Sequence, residues 1–239
     1  MYLKTKGIVL HTVKFSETSV ITKIYTEQLG LVSYIVKGVR SAKSKSKAAL
    51  LQPLTLLEME VLHRENKSLQ YIKEFRRAYN YQSIPFDTLK SAIALFLLEV
   101  ISKSIREHEQ NDEMFEFIYD SFCALDQSQK LNPDFHLIFL VHFTRYLGFS
   151  PHGNFSEELQ FFELREGVFT KYSSEPNTLN AKESKFLNDL MATTVFENSQ
   201  FKVSRAERKQ LMKSLLRYYQ MHIENFSLRS PEILEVLLD

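Results

Sequence analysis

The feature that most constrains the fold is a change in hydrophobic period near Pro85. Before this proline, apolar residues alternate with polar ones or cluster in short runs rich in β-branched residues, which is typical of strands. After it, they recur every three to four positions, as on one face of a helix. The 239 residues suffice for two modest domains. We therefore expect an α+β protein with a β domain over residues 1–80 and a helical domain over residues 81–239.

The first part contains five candidate strands, which predicts a small β-barrel. Alternation is clearest in LTLLEMEVL, where Leu57, Met59 and Val61 share one face and Glu58 and Glu60 share the other. Short turns join most of these segments, and Gly30 marks one of them. The candidate strands are residues 6–15, 19–26, 31–38, 54–62 and 69–77.

Helical periodicity dominates the second part. Helices are predicted over residues 86–108, 112–126 and 132–148, the last beginning with Asn132 as N-cap and Pro133 at its first position. Two capping boxes, NAKE at 180–183 and SRAE at 204–207, open further helices, and SPE at 230–232 caps a short last one. A small hairpin is expected near 161–170, within an insertion over about 150–175. The predicted linker is NYQSIPF, near 80–86.

The net charge of +1 conceals a strong asymmetry. Residues 1–80 carry 14 Lys and Arg against six Asp and Glu, a balance of +8, and the remainder carries −7. Five of these cations lie in KGVRSAKSKSK, and this segment has no large apolar residue after Val39. The composition predicts an unanchored, flexible loop with an electrostatic task, although solvated surface lysines are the simpler alternative. The five cations are Lys37, Arg40, Lys43, Lys45 and Lys47.

Signals of catalysis are weak in this sequence. The six glycines form neither a phosphate-binding loop nor a dinucleotide fingerprint. Cys123 is predicted to be a buried apolar residue in a helix, and His136 and His142 point to different faces of another. Glu58 and Glu60 are best explained as solvated acids. Three strand tyrosines have two open interpretations, base stacking or barrel packing: Tyr25, Tyr34 and Tyr71.

A family resemblance rests on the order of several motifs in residues 7–61. These are GIVL, then SET before a strand ending in YTEQLG, then KGVR with its basic loop, then LQPLTLLE. The segments LGFSPHGNF at 147–155 and FFELREGVF at 161–169 agree as well. In these motifs the chain resembles the RecO family of bacterial recombination mediators. The resemblance implies an OB-fold barrel on a helical domain. Because the sequence shows no nucleophile–base pair and no metal cluster, we also expect no enzymatic activity.

The same resemblance implies a function. It implies sequence-independent binding and annealing of single- and double-stranded DNA, and joint action with RecR. Together they would help RecA to displace single-strand-binding protein, in the cytoplasm at the nucleoid. Composition alone leaves two alternatives open: an OB-fold RNA-binding or ribosome-associated protein, and a scaffold whose basic loop docks an acidic protein surface.

One departure from the family pattern concerns metal. Many members carry a four-cysteine zinc finger just after the LGxxP segment, whereas residues 147–175 here contain no cysteine and one histidine, His152. Because a zinc site needs about four nitrogen or sulfur ligands, we predict no zinc and no other cofactor. Phenylalanines are expected to hold this loop instead: Phe155, Phe161, Phe162 and Phe169.

Two sets of site residues follow. The predicted DNA site lies beside the face of strands two and three and comprises the five cations of residues 37–47 with Arg76 and Arg77. The second set is predicted to bind the acidic, apolar-ended tail of single-strand-binding protein, with a plain amphipathic helix as the alternative. Its cations are Arg205, Arg208, Lys209 and Lys213, and its apolar walls are Leu211 and Leu215.

Overall fold

The computed structural model describes residues 2–39, 45–64, 66–106, 110–174, 176–197, 199 and 201–238. Two compact units emerge, one formed by Met1–Asp87 with Leu98–Asp126 and the other by Thr88–Leu97 with Gln127–Asp239. The boundary predicted between residues 80 and 81 stays a prediction. In the described parts of the chain, no helix is long and apolar enough to cross a membrane.

Five strands close into the predicted barrel, in the order β1-β2-β3-β5-β4. Strands β3 and β5 pair in parallel, and the other pairs are antiparallel. Strand β1 begins before the predicted Lys6, because its first half pairs with β4 and its second half with β2. The strands are β1 (Tyr2–Lys14), β2 (Val20–Thr26), β3 (Gly30–Val36), β4 (Leu56–Leu62) and β5 (Leu69–Arg77).

The barrel interior is filled by side chains from every strand. Leu57, Met59 and Val61 of β4 point inward, as their alternation predicted. Gly7 lies where β1 passes closest to this core, since a Cβ there would lie 2.6 Å from Ile24 Cγ2 and 2.7 Å from Met59 Cε. A side chain at position 7 would therefore force the core apart.

The end of the basic segment is anchored, contrary to our expectation. Residues 45–49 form a short helix, α1 (Lys45–Ala49), and Ala48 and Leu50 pack against the barrel core. Val39 and Leu51 are fully part of that core, at 2% and 1% exposure. The expectation of an unanchored loop is thus wrong at the two ends of the segment, because Val39 and the apolar residues after Lys47 pack into the barrel. Residues 40–44 of the segment lie outside the described residues.

The predicted linker is held by one carboxylate at the end of helix α3 (Asp112–Gln127). Asp126 accepts hydrogen bonds from the backbone N–H groups of Gln82, Ser83 and Ile84 at 2.8–3.1 Å, and from the Tyr79 hydroxyl. Burial alone would raise the pKa of Asp126, but these donors outweigh it and lower the pKa below its ordinary value. The segment between barrel and helices is therefore an ordered turn.

The remaining elements form the helical part. Helices α4, α5 and α6 pack on one another, and a three-stranded sheet of order β7-β6-β8 packs on α5. Both predicted capping boxes are confirmed, at Asn180 with Glu183 and at Ser204 with Glu207. The elements are α2 (Thr88–Ser104), α4 (Phe135–Tyr146), β6 (Phe161–Glu163), β7 (Val168–Thr170), β8 (Thr178–Leu179), α5 (Ala181–Met191), α6 (Arg205–His222) and α7 (Pro231–Leu238).

Helix α4 begins later than predicted. Its N-cap is Asp134, which makes no side-chain capping bond, so the assignment of Asn132 as N-cap was wrong. The Asn132 side chain instead accepts from the Asp134 backbone N–H at 2.9 Å, which forms a turn before the helix. The carboxylate of Asp134 is free to serve a different partner, Arg208.

Candidate nucleic-acid interface

The described cations of the basic segment lie at the surface of the barrel. Lys37 directly follows β3 and is exposed, and Lys47 is exposed on α1. Lys45 is the first residue of the same helix. Arg40 and Lys43 lie outside the described residues. The two ends of the segment are fixed by buried Val39 and Leu51, so its described lysines are presented from an anchored base.

The two predicted arginines of β5 have local partners. Arg76 Nε donates to Glu58 Oε2 at 2.7 Å, and Arg77 Nη1 donates to Asn80 Oδ1 at 2.6 Å. Glu60 likewise binds Lys73 Nζ at 2.9 Å, so each acid of β4 forms a surface ion pair while its side chain stays partly exposed. Exposed pairs of this kind are screened by solvent and contribute little to stability, and the Arg76 side chain remains 79% exposed.

Half of the expected binding face is covered. Tyr25 of β2 is fully buried, with its ring 5.9 Å from that of Phe115 in α3 and its hydroxyl donating to the Asn111 carbonyl at 3.5 Å. Its cross-strand partner, Leu31 of β3, is 1% exposed. The outer face of β2 and β3 near their turn therefore packs against α3. Tyr25 and Leu31 are therefore not exposed on that face, and the predicted DNA site beside it stays a prediction.

The three strand tyrosines separate into two groups. Tyr34 points into the barrel core and is fully buried, like Tyr25 beneath α3. Burial raises the pKa of both hydroxyls above the ordinary tyrosine value. For these two residues the packing interpretation holds. Tyr71 of β5 differs, because its side chain is 40% exposed and Lys37 Nζ lies 5.8 Å from its ring centroid.

An open face surrounds Tyr71. Strand register aligns Tyr2 of β1 with Leu62 of β4, and Leu62 with Tyr71 of β5. Tyr2 is 59% exposed, and Lys73 Nζ lies 5.0 Å from its ring centroid. We call these four residues, Tyr2, Lys37, Tyr71 and Lys73, the cation–aromatic face. Tyr2 and Lys73 were not among the predicted site residues, because their proximity follows from register across three strands.

The rest of this outer surface has mixed charge. A cleft of about 520 Å³ is lined by residues of β1, β4 and β5, among which Lys4, Lys6 and Arg76 alternate with acids. The acids of the cleft are Glu27, Glu58, Glu60 and Glu74. A polyanion gains little from a surface of mixed charge, so we expect this cleft to contribute little to nucleic-acid binding.

The turn between β4 and β5 adds two exposed cations, Arg64 and Lys67. The buried Gln70 side chain holds this turn, since its Nε2 donates to the Arg64 carbonyl at 2.8 Å and its Oε1 accepts from the Arg64 N–H at 2.9 Å. In OB-folds this turn commonly contributes to nucleic-acid binding. These two cations were not among the predicted site residues.

Helix α6 arranges its predicted residues differently from our expectation. Leu211 and Leu215 lie in the core at 0% and 2% exposure, so they do not wall a surface pocket. Arg208 Nε donates to Asp134 Oδ1 at 2.6 Å, and its Nη1 donates to the Val203 carbonyl at 2.9 Å. This guanidinium is therefore a structural group. Arg205 and Lys213 are exposed, and Lys209 is half-buried.

Comparison with known proteins decides the family. Residues 1–81 match the family model described as "Recombination protein O N terminal", and residues 85–232 match "Recombination protein O C terminal". The chain belongs to the RecO family. Proteins named "DNA repair protein RecO" from Christiangramia forsetii and Bacteroides fragilis are 37% and 36% identical to it. These alignments cover 99% of this chain and 98% of the first relative, and 100% of both chains for the second.

Comparison with solved structures is less informative. Entamoeba histolytica asparaginyl-tRNA synthetase aligns with 92% of this chain and 56% of its own at 10% identity, with a TM-score of 0.28. That score supports no shared fold. A general role in DNA repair therefore comes from the RecO family alone.

The small sheet of this RecO-family chain is held by aromatic packing. The Phe162 ring lies 5.2 Å from that of Phe169 and 5.7 Å from that of Tyr218, and Phe149 stacks on His222 at 4.8 Å. The residues that the structure describes contain no cluster of three His, Cys, Asp or Glu side chains able to hold a metal. The zinc-free loop stays a prediction that elemental analysis can test.

Cys123 differs from its prediction as a buried residue. It is half-buried on α3, and burial with the nearby carboxylates Asp120 and Asp126 raises the pKa of its thiol to about 11. A thiol with so high a pKa is largely protonated at neutral pH and is a weak nucleophile. Cys123 is thus a poor candidate for a catalytic residue.

Proposed function

We propose that this protein is a recombination mediator that binds single- and double-stranded DNA without sequence specificity and anneals complementary strands. With RecR, it helps to load RecA onto DNA coated by single-strand-binding protein, in the cytoplasm at the nucleoid. The observation that carries the proposal is the full-length match to the RecO family. The absence of enzymatic activity and of a cofactor remains part of the same proposal.

The barrel supports sequence-independent binding. Its +8 balance supplies cations for phosphates, and phosphates carry no direct sequence information. The exposed cations Lys37, Lys47, Arg64 and Lys67 are attached to the barrel or to its turns, so they contact a strand without unfolding the core. This arrangement suits a protein that must act on any DNA sequence.

A groove beside α6 supports a protein partner. Its volume is about 340 Å³, and Phe186, Val203 and Ala206 form the apolar part of its lining. Lys182 also lines it, as do Glu183 and Glu207, which are bonded in the two capping boxes. Ala206, Gln210 and Lys213 share one face of α6, so a cation continues the line of the groove. We propose that the apolar end of the tail of single-strand-binding protein enters this groove, while Arg205, Lys209 and Lys213 attract its acidic part. This placement replaces the walls first assigned to Leu211 and Leu215.

An annealing assay tests the function. Two complementary oligonucleotides carrying a donor and an acceptor fluorophore are coated with single-strand-binding protein, and energy transfer is followed after this protein is added. We expect annealing to be accelerated for several unrelated sequences to a similar degree. Failure to anneal coated strands, with naked strands still bound, would remove the mediator function and leave a general DNA-binding protein.

A further inference from the structure

We infer that the cation–aromatic face is a stacking site for unpaired bases, which makes it selective for single-stranded over double-stranded DNA. This inference rests on the proposed DNA binding and deepens it, because it assigns the single-strand contacts to Tyr2 and Tyr71. Duplex DNA would contact the cations of the basic segment without using these two rings.

The first support is the exposure of two aromatic rings in one row. Tyr2 and Tyr71 are 59% and 40% exposed and lie on either side of Leu62 on the outer surface of the barrel. Their strands are separated by one intervening strand, so their backbones lie about 10 Å apart. Their neighbours in sequence, Leu3 and Ile72, point to the core instead. Two rings are thus presented to solvent where barrel packing does not require them.

The second support is the pairing of each ring with a lysine. Lys37 Nζ lies 5.8 Å from the Tyr71 ring centroid, and Lys73 Nζ lies 5.0 Å from that of Tyr2. Cations and aromatic rings that alternate on one surface match a single strand, whose phosphates and bases alternate. Lys73 also binds Glu60 at 2.9 Å, which fixes its ammonium group beside the ring.

The third support is position. The face begins at Lys37, where the basic segment leaves β3, and β3 aligns Ile35 with Tyr71. A single DNA strand bound by the lysines of the basic segment therefore also reaches the two rings, because this segment begins within a few residues of the β3 position that pairs with Tyr71. In a duplex the base faces are already stacked on one another and are not accessible to a side chain. The rings thus contribute to binding of unpaired DNA alone.

A tryptophan probe tests this inference directly, because the chain contains no tryptophan. Tyr71→Trp and Tyr2→Trp each place a single indole in the face, and Tyr172→Trp serves as the control because Tyr172 is 74% exposed outside it. We expect an oligothymidine of about 20 nucleotides to quench the first two indoles and to leave the third unchanged. A blunt-ended duplex of the same charge, which has no unpaired bases, should quench none of them.

Affinity measurements complete the test. Tyr2→Ala and Tyr71→Ala should each weaken oligothymidine binding about tenfold and leave duplex binding within about twofold, whereas Tyr71→Phe should retain wild-type affinity. Equal weakening of both DNA forms, or an unquenched indole in a variant that binds oligothymidine, overturns the inference while the proposed function stands. A wild-type protein that binds neither DNA overturns both.

Discussion

The basic segment at residues 37–47 and the basic helix α6 look alike in sequence, yet the structure uses their cations differently. In the first, Lys37 and Lys47 are exposed on an anchored base. In the second, the central cation Arg208 is drawn inward to Asp134, whose side chain is completely buried. A run of positive charge therefore does not predict a surface role for each of its members, because a buried acid can bind one of them.

The difference has a geometric origin. Arg208 lies between the basic stripe of α6 and the apolar stripe of Leu211 and Leu215, so its long side chain reaches into the protein. Its guanidinium there finds one carboxylate and two backbone carbonyls, those of Val203 and Phe201. Lys37 and Lys47 have no such neighbour in the described structure, and a tyrosine ring is the contact that Lys37 makes.

The largest effect is expected for Arg208→Ala. This substitution leaves the carboxylate of Asp134 buried without its cation, which typically costs about 3–5 kcal/mol in the free energy of unfolding. Thermal unfolding should begin on the order of 10 °C lower. Lys202→Ala is the matched control, because Lys202 is an exposed cation nearby and its loss should change stability by about 0.5 kcal/mol or less.

A double substitution sharpens this result. If the loss of stability in Arg208→Ala comes from an unpaired buried charge, the double variant Asp134→Asn with Arg208→Met should be less destabilised than the Arg208→Ala variant. A decrease of less than about 1 kcal/mol for Arg208→Ala would show that α6 carries a solvated basic side, as the simpler prediction from sequence had it.

A pH-dependent effect of similar origin is expected at His136. Its side chain is 1% exposed, its Nδ1 has no partner among the described residues, and burial together with Arg208 lowers its pKa to about 4. In the unfolded chain the imidazole binds a proton below about pH 6.5, whereas in the folded protein it stays neutral. The contribution of the neutral His136 side chain to the stability of the folded protein is thus complete above pH 6.5 and is lost as the pH falls towards 4.

The measurement is chemical denaturation at several pH values. A shift from about 6.5 to about 4 corresponds to roughly 3 kcal/mol over this interval. His136→Gln should remove this part of the pH dependence, so the stability of the variant should fall less steeply than that of the wild type. Parallel pH profiles for the two proteins would mean that His136 accepts a proton in the folded state.

Local patterns in the sequence predicted much of the fold, and distant contacts account for what it missed. The alternation of Leu57, Met59 and Val61 and the two capping boxes each depend on residues within a few positions, and they gave correct elements. Asp134 and Arg208 lie 74 positions apart, and no local pattern relates them. The N-cap of α4 was misplaced by two residues, because the Asn132 side chain forms a turn with the Asp134 N–H before the helix begins.

The candidate site shows the same limit. The basic segment could be identified from the sequence, since its cations lie close together along the chain. The covering of Tyr25 by α3 and the row formed by Tyr2, Leu62 and Tyr71 depend on barrel register and on helix packing. The sequence shows which tyrosines lie in strands. Only the folded barrel shows that Tyr71 is exposed while Tyr25 and Tyr34 are buried.

A smaller effect, on binding rather than on folding, is expected for the basic segment. Binding of single-stranded DNA should weaken with salt with a log–log slope of roughly −2 to −3.5, if three to five phosphates are neutralised. Changing Lys43, Lys45 and Lys47 together to Ala should reduce the slope by about 2 and weaken all sequences alike. An unchanged slope would move the phosphate contacts to Arg64 and Lys67 or to Arg76 and Arg77.

The smallest effect on stability is expected from substitutions at the accessible lysines of α6, Lys209 and Lys213. Lys209→Glu with Lys213→Glu should change the free energy of unfolding by only about 0.5 kcal/mol, because neither side chain is fully buried. The same variant should lose binding of an acidic peptide with an apolar C-terminal end, since the reversed charges beside the groove would repel the acidic part of the peptide. Fluorescence titration with a labelled peptide measures this loss.

The control for this variant separates local charge from net charge. Lys130→Glu with Lys171→Glu alters the total by the same amount at exposed positions outside the groove, so peptide binding should persist. Naked-DNA binding should be unaffected in both variants, since the proposed DNA contacts lie on the barrel. If the α6 variant still binds the peptide with wild-type affinity, the exposed lysines of α6 have no role in docking. The two basic regions would then differ fully in role: the cations of the barrel would bind DNA, and α6 would only support the fold of the second unit.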